Sequence, residues 1–143
     1  MADREAIFEV SSMFRTLVKG ITQLWNKQKN DNISFPQFKM LYMLDRSGSL
    51  KVSELAERQG LTSAAITGLT DKLLVDGYVE RTRTEQDRRV VMISITEKGR
   101  EMVAKLSESQ RETLLIVFSD LSDEDIDHLK RIYSILLGNL DKL

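Results

Sequence analysis

Residues 52–96 read "VSELAERQGLTSAAITGLTDKLLVDGYVERTRTEQDRRVVMISIT", and how that stretch divides decides the fold. "VSELAERQ" is a short helix closed by Gly60, since glycine enters the left-handed turn at a helix end without a steric penalty. After Leu61, Thr62 caps a second helix that begins at Ser63 and stops at Gly77. Two short helices joined by a tight, glycine-containing turn make a helix-turn-helix. "YVERTRT" and "VVMISIT" then read as strands, with "EQDRR" as the loop of the hairpin between them.

On the N-terminal side, "SLKV" just before residue 53 offers a third strand. "SFPQ" at 34–37 opens the preceding helix. Ser34 caps it, Gln37 occupies the capping-box position, and Pro36 is tolerated in the first turn. That helix carries "QFKMLYML" and breaks at Gly48. Earlier still, Ile7, Val10, Phe14, Leu17, Ile21 and Leu24 alternate by three and four, one helical stripe widened by Phe8, Val18 and Trp25. The polar "NKQKNDN" at 26–32 ends it. On the C-terminal side, Thr96 caps a helix that runs from Glu97 to about Ser119. Ser122, followed by Asp123, Glu124 and Asp125, starts the last helix with negative charge at its positive end. Its stripe is Ile126, Leu129, Tyr133, Leu136, Leu140 and Leu143. The predicted class is mainly α with a small β-hairpin wing (α+β).

At 143 residues, 41% hydrophobic and 30% charged with one proline, the chain has the size and composition of a single globular, mostly helical domain. The longest apolar run, "LLIVF" at 114–118, is far too short to cross a bilayer, and "MADREAIF" lacks an apolar signal core. A cytoplasmic protein with no membrane partner is expected. The lack of cysteine excludes disulfides, thiolate metal sites and a cysteine nucleophile. With a net charge of −1, any positive surface must be local and offset by acid elsewhere.

The second helix of the pair buries Ile66, Leu69 and Leu73, with Ala65 at the edge. Its opposite face carries Ala64, Thr67, Gly68 and Asp71, with Ser63 at the open end. A face used only for solvation would be richer in Lys and Glu. Small residues let a helix backbone approach a major-groove floor, where hydroxyls bond base edges and Ala meets thymine methyls. Arg, Asn and Gln, which make the strong bidentate base contacts, are missing from this face.

At the hairpin, Arg81 and Arg83 share a strand, and Arg88 and Arg89 sit at the loop end, close to Glu80, Glu85 and Asp87. Taken alone, this is a solvated hairpin with cancelling charges. Directly after a helix-turn-helix it reads as a wing, because a hairpin there reaches the flanking backbone and minor groove, whose negative potential favours arginine. Asp87 is then a clamp that accepts hydrogen bonds from an arginine and holds the tip in shape.

These residues resemble the winged-helix core of the MarR family of bacterial transcription regulators. The resemblance lies in Glu54-Leu55-Ala56, Thr67, Asp71, Leu73, Gly77, Arg81, the wing signature Asp87-Arg88-Arg89 and the helix start Thr96-Glu97-Lys98-Gly99, with "FPQFKMLYML" upstream. It covers about residues 35–102. Gly68 stands where many members carry a basic residue, and Lys51 where Ser or Thr is usual. The resemblance implies one domain over 1–143, with dimerisation helices at about 3–30 and 97–143 and a DNA-binding winged helix-turn-helix lobe at about 34–96. It also implies a homodimer that represses at a short pseudo-palindromic operator and is released by a small aromatic or anionic effector. No cofactor is implied. The apolar stripes of the terminal helices argue for self-association independently, because a monomer of this size cannot easily cover both.

The resulting assignments place Ser63, Ala64, Thr67 and Gly68 against bases. Thr62, Lys72, Arg81 and Arg83 go to phosphates, and Arg88 and Arg89 to the wing contact, supported by Asp87. Met13, Phe14, Trp25 and Tyr42 are candidates for an effector pocket, although the same residues suit a core. Two rivals remain. His128, the single histidine, sits among Asp123, Glu124, Asp125 and Asp127, but no serine or lysine constellation surrounds it and the acids suit a helix N-terminus; neither a catalytic residue nor a metal site is expected. The other rival is a winged helix used for protein contacts alone, as an antirepressor or dimerisation module. Such a module has no need of a basic tip.

Overall fold

A computed structural model of the chain describes residues 1–29 and 31–143. In order, the elements are α1 (Arg4–Gln28), α2 (Phe35–Ser47), β1 (Leu50–Lys51), α3 (Val52–Gln59), α4 (Ser63–Val75), β2 (Val79–Arg83), β3 (Val91–Ile95), α5 (Glu97–Val117) and α6 (Asp123–Leu140). Asn30, within the polar stretch expected to end the first helix, lies outside the described residues.

Local chemistry sets these boundaries. The Ser34 hydroxyl accepts from the Gln37 N–H at 3.3 Å while Gln37 Oε1 accepts from the Ser34 N–H at 2.9 Å, a complete capping box. Lys51 has no side-chain acceptor, and only the reciprocal half is made at α3, from the Lys51 N–H to Glu54 Oε1 at 3.2 Å. Gly60, at φ 65°, closes α3 in the left-handed conformation. Gly77, at φ 80°, ends α4: the Tyr78 N–H reaches Leu73 O at 2.9 Å and the Gly77 N–H reaches Leu74 O at 3.1 Å. These are the two bonds of a Schellman stop.

The sheet is antiparallel in the order β1-β3-β2. The third strand expected before residue 53 is therefore real, though only two residues long. Ile93 in the central strand is fully buried, and around it pack Leu41 and Leu44 of α2, Leu55 of α3, and Ile66 and Leu73 of α4. Val103 and Leu106 of α5 and Trp25 of α1 close this core.

Three expectations need correction. The buried stripe of α4 includes Thr70, only 1% exposed, whereas Ala65 is exposed. Thr70 tolerates burial because its hydroxyl donates to Ile66 O at 2.7 Å, so no polar atom is left unpaired. The last helix ends at Leu140, which leaves Leu143 beyond its stripe. Third, Met13, Phe14, Trp25 and Tyr42 do not share a pocket in the single chain, because Trp25 is buried in the core while Met13 and Phe14 are exposed on α1.

The terminal helices project their apolar stripes outward. On α1, Phe8, Val10, Met13, Phe14 and Val18 are exposed, and only Trp25 is buried. On α6 no residue is buried, and Ile135, Leu136, Leu137 and Leu140 are each more than half exposed.

Candidate nucleic-acid interface

The small-residue face of α4 is open. Ser63, Ala64, Thr67, Gly68 and Asp71 are all exposed. Thr62 is held as the cap, its hydroxyl accepting from the Ala65 N–H at 3.1 Å. The Thr67 hydroxyl donates to Ser63 O at 2.9 Å, which leaves its lone pairs free to accept from outside. A Cβ on Gly68 would meet nothing within 4 Å, so packing within this chain does not require glycine there. Glycine inside a helix costs about 1 kcal/mol relative to alanine. That cost has no return inside the fold. Lys72 donates to the carbonyl of Asn32 at 2.7 Å, tying α4 to the segment before α2 while its charge stays unbalanced by any carboxylate among the described residues.

Strand alternation sorts the hairpin charges. Val79, Arg81 and Arg83 share one face of β2, opposite Ile95, Ile93 and Val91 of β3, while Glu80 and Thr82 point the other way. Val79 is buried, and beyond it the strand runs out of the core, so the same face that anchors the hairpin carries its arginines into the open. Arg81 Nη2 bonds Asp71 Oδ1 at 2.8 Å, joining the wing strand to α4. Arg83 Nη1 donates to Arg88 O at 2.6 Å and braces the loop from the strand side.

The tip is folded by its own side chains. Thr84 donates its hydroxyl to Asp87 O at 2.7 Å and accepts from the Asp87 N–H at 3.1 Å. Asp87 Oδ1 accepts from the Arg89 backbone N–H at 3.0 Å and from Arg89 Nε at 3.2 Å. The backbone N–H, and after it the guanidinium, holds the Asp87 carboxyl below its ordinary range. The clamp geometry read from the sequence is therefore present, with Arg89 as its partner. The Arg88 guanidinium makes no hydrogen bond or ion pair among the described residues, and the Arg89 side chain is 93% exposed.

The four pocket candidates do not come together. Trp25 is a core residue, 5.3 Å from the Phe38 ring centroid and 5.8 Å from that of Phe35. Met13 and Phe14 lie some three turns up α1, roughly 17 Å away at about 1.5 Å rise per residue. Both are exposed. Only Tyr42 borders a groove, of about 420 Å³, whose other walls include Phe35, Phe38, Lys39, Met43 and Arg46. Arg46 stacks on the Tyr42 ring at 4.9 Å, and Lys39 lies 5.9 Å from the Phe35 ring. The sequence pattern missed this groove because its aromatic residues come from α2 alone, at a spacing that also describes core.

His128 Nε2 lies 3.6 Å from Glu124 Oε1 one turn earlier, an exposed pair. Among the described residues no cluster of three or more His, Cys, Asp or Glu is placed to hold a metal, and no helix is long and apolar enough to cross a membrane.

The same arrangement of helices and wing occurs in known proteins. A solved MarR family protein from Bacillus stearothermophilus is 27% identical, covers 99% of both chains and superposes with a TM-score of 0.84. The sequence profile of the MarR family matches residues 33–91. An uncharacterized HTH-type transcriptional regulator of Bacillus subtilis, YfiV, is 36% identical over 110 residues, 77% of this chain and 69% of its own. The chain belongs to the MarR family. The HTH-type transcriptional repressor IacR of Pseudomonas putida is also similar, 25% identical over 115 residues that span 80% of this chain and 69% of its own. MarR-family regulators are DNA-binding proteins and not enzymes, which accounts for a helix face and a wing tip without catalytic groups.

Proposed function

We propose that two copies of this MarR-family chain pair through α1, α5 and α6 and bind a short pseudo-palindromic operator. Residues 3–30 and 97–143 form the dimer body, and 34–96 the DNA-binding lobe. The observation that carries this reading is the open small-residue face of α4 beside an arginine-tipped hairpin. Ser63, Ala64, Thr67 and Gly68 face bases. Thr62, Lys72 and Arg83 serve the backbone, joined by Arg81 only where its partner Asp71 is otherwise engaged, and Arg88 and Arg89 make the wing contact. Such a protein works where its DNA is, in the cytoplasm.

Two-fold pairing supplies what the open stripes of α1 and α6 lack. It also presents the two α4 helices to successive major grooves, about 34 Å apart. Repression is the mode supported by the relative named as a repressor. The groove on α2, aromatic within and flanked by Lys39 and Arg46, suits a small aromatic anion. An effector that favours a dimer with another spacing must weaken DNA binding by the same factor that DNA weakens the effector.

Sedimentation equilibrium checks the pairing. The wild-type protein is expected at the mass of two chains, and Leu136→Asp, which places a carboxylate in the paired surface, at the mass of one. Leu136 is 55% exposed in the single chain, so the variant keeps its fold. A wild-type protein sedimenting as one chain contradicts the dimer.

A further inference from the structure

The ion pair between Asp71 and Arg81 has no evident role in stability. Its side chains are 60% and 50% exposed, and pairs so open to water contribute little to folding. Its position is more informative. Asp71 lies one turn beyond Thr67 and two beyond Ser63, so it closes the exposed face of α4. A carboxylate there faces the phosphates of any duplex docked on that face, and like charge repels. Arg81 is the one cation on the strand face nearest α4 whose charge a carboxylate balances; Arg83, two residues on, is bonded to a carbonyl instead.

We propose that Asp71 is a specificity-determining residue: by pairing with Arg81 it withholds from each wing a cation that would otherwise grip any phosphate backbone. The inference rests on the DNA-binding reading above. The pair as a whole is a neutral donor–acceptor unit. Only Arg81 Nη2 and Asp71 Oδ1 are engaged, so among the described residues Asp71 Oδ2 and the remaining guanidinium N–H groups are open. A bare phosphate satisfies the guanidinium but opposes the carboxylate. A base pair that offers a donor beside acceptors, such as the cytosine amino group next to guanine O6 and N7, satisfies both. The unit therefore discriminates against DNA of the wrong sequence instead of adding affinity for DNA in general.

The test is Asp71→Asn, nearly isosteric and uncharged, measured against a random-sequence duplex and against the DNA upstream of the protein's own gene. Freeing two arginines per dimer is expected to tighten binding to the random duplex on the order of tenfold at about 0.15 M salt, and to steepen the dependence of log K on log salt by about 1.8. The preference for upstream over random DNA falls, the melting temperature stays at the wild-type value, and adding Arg81→Ala removes the gain on random DNA. Unchanged binding and salt slope on the random duplex overturn the proposal. So does a parallel loss on both duplexes with a lower melting temperature, which marks the pair as a strut. Wild-type protein that binds neither duplex overturns the DNA-binding reading and this inference together, whereas wild-type binding with an unresponsive Asn variant removes this inference alone.

Discussion

Replacing Arg88 and Arg89 together by alanine is expected to weaken binding to the upstream DNA by at least about a hundredfold while leaving the fold intact. Hydrogen bonds to charged groups are worth about 1.5–3 kcal/mol each. A dimer presents two wings, so even one engaged arginine per wing amounts to roughly 3 kcal/mol or more, and about 1.4 kcal/mol is tenfold in affinity. The folded protein loses little, because the Arg88 guanidinium has no partner among the described residues, the bond from Arg83 reaches only the Arg88 carbonyl, and the Arg89 side chain is 93% exposed. Asp87→Ala should lose less. It releases the Arg89 backbone and side-chain contacts without removing a cation, so docking must order the tip afresh. Fluorescence anisotropy with labelled duplex separates the two. A double variant with wild-type affinity refutes the wing assignment.

The largest expected effect on stability lies at the junction of wing and α5. Gly99→Ala is expected to cost about 3 kcal/mol and to lower Tm on the order of 10 °C in a thermal melt. A Cβ at Gly99 would stand inside the contact distance of the Tyr78 carbonyl oxygen and 2.6 Å from Ile95 Cγ1. Neither neighbour can give way cheaply. The Tyr78 carbonyl also accepts from the Thr96 N–H at 3.0 Å, and the Thr96 hydroxyl both donates to Gly77 O at 2.7 Å and accepts from the Gly99 N–H at 3.1 Å. The added methyl group thus pushes on the hydrogen bonds that join the end of α4, the start of β2 and the start of α5. An alanine variant that melts with the wild type contradicts this account of the junction.

The order of elements was legible because short-range chemistry marks each boundary. Ser34 with Gln37, Thr62, Thr96 and Ser122 cap helices using bonds that span three residues, and Gly60 and Gly77 take positive φ. The open face of α4 was legible for a similar reason, since helical periodicity alone sorts Ala64, Thr67 and Gly68 from Ile66 and Leu73. Long-range contacts were not. Thr70 reads as polar, and its burial comes from packing against α2, where Met40 Sδ lies 3.6 Å from its hydroxyl. Asp71 and Arg81 lie ten positions apart across the Gly77 turn, and each read as a separate surface charge until the turn brought them to 2.8 Å. Met13, Phe14 and Trp25 illustrate a further limit: one stripe supplied the core at its lower end and an open face above, and periodicity does not mark where that change occurs.

Affinity for the upstream DNA as a function of salt, measured together with the number of chains bound per duplex, tests the central claim most directly. Two chains per duplex, with an affinity that falls by orders of magnitude between about 50 and 200 mM salt, is the result this account predicts. Binding by a single chain, or an affinity indifferent to salt, would contradict it and favour a winged helix that contacts protein alone.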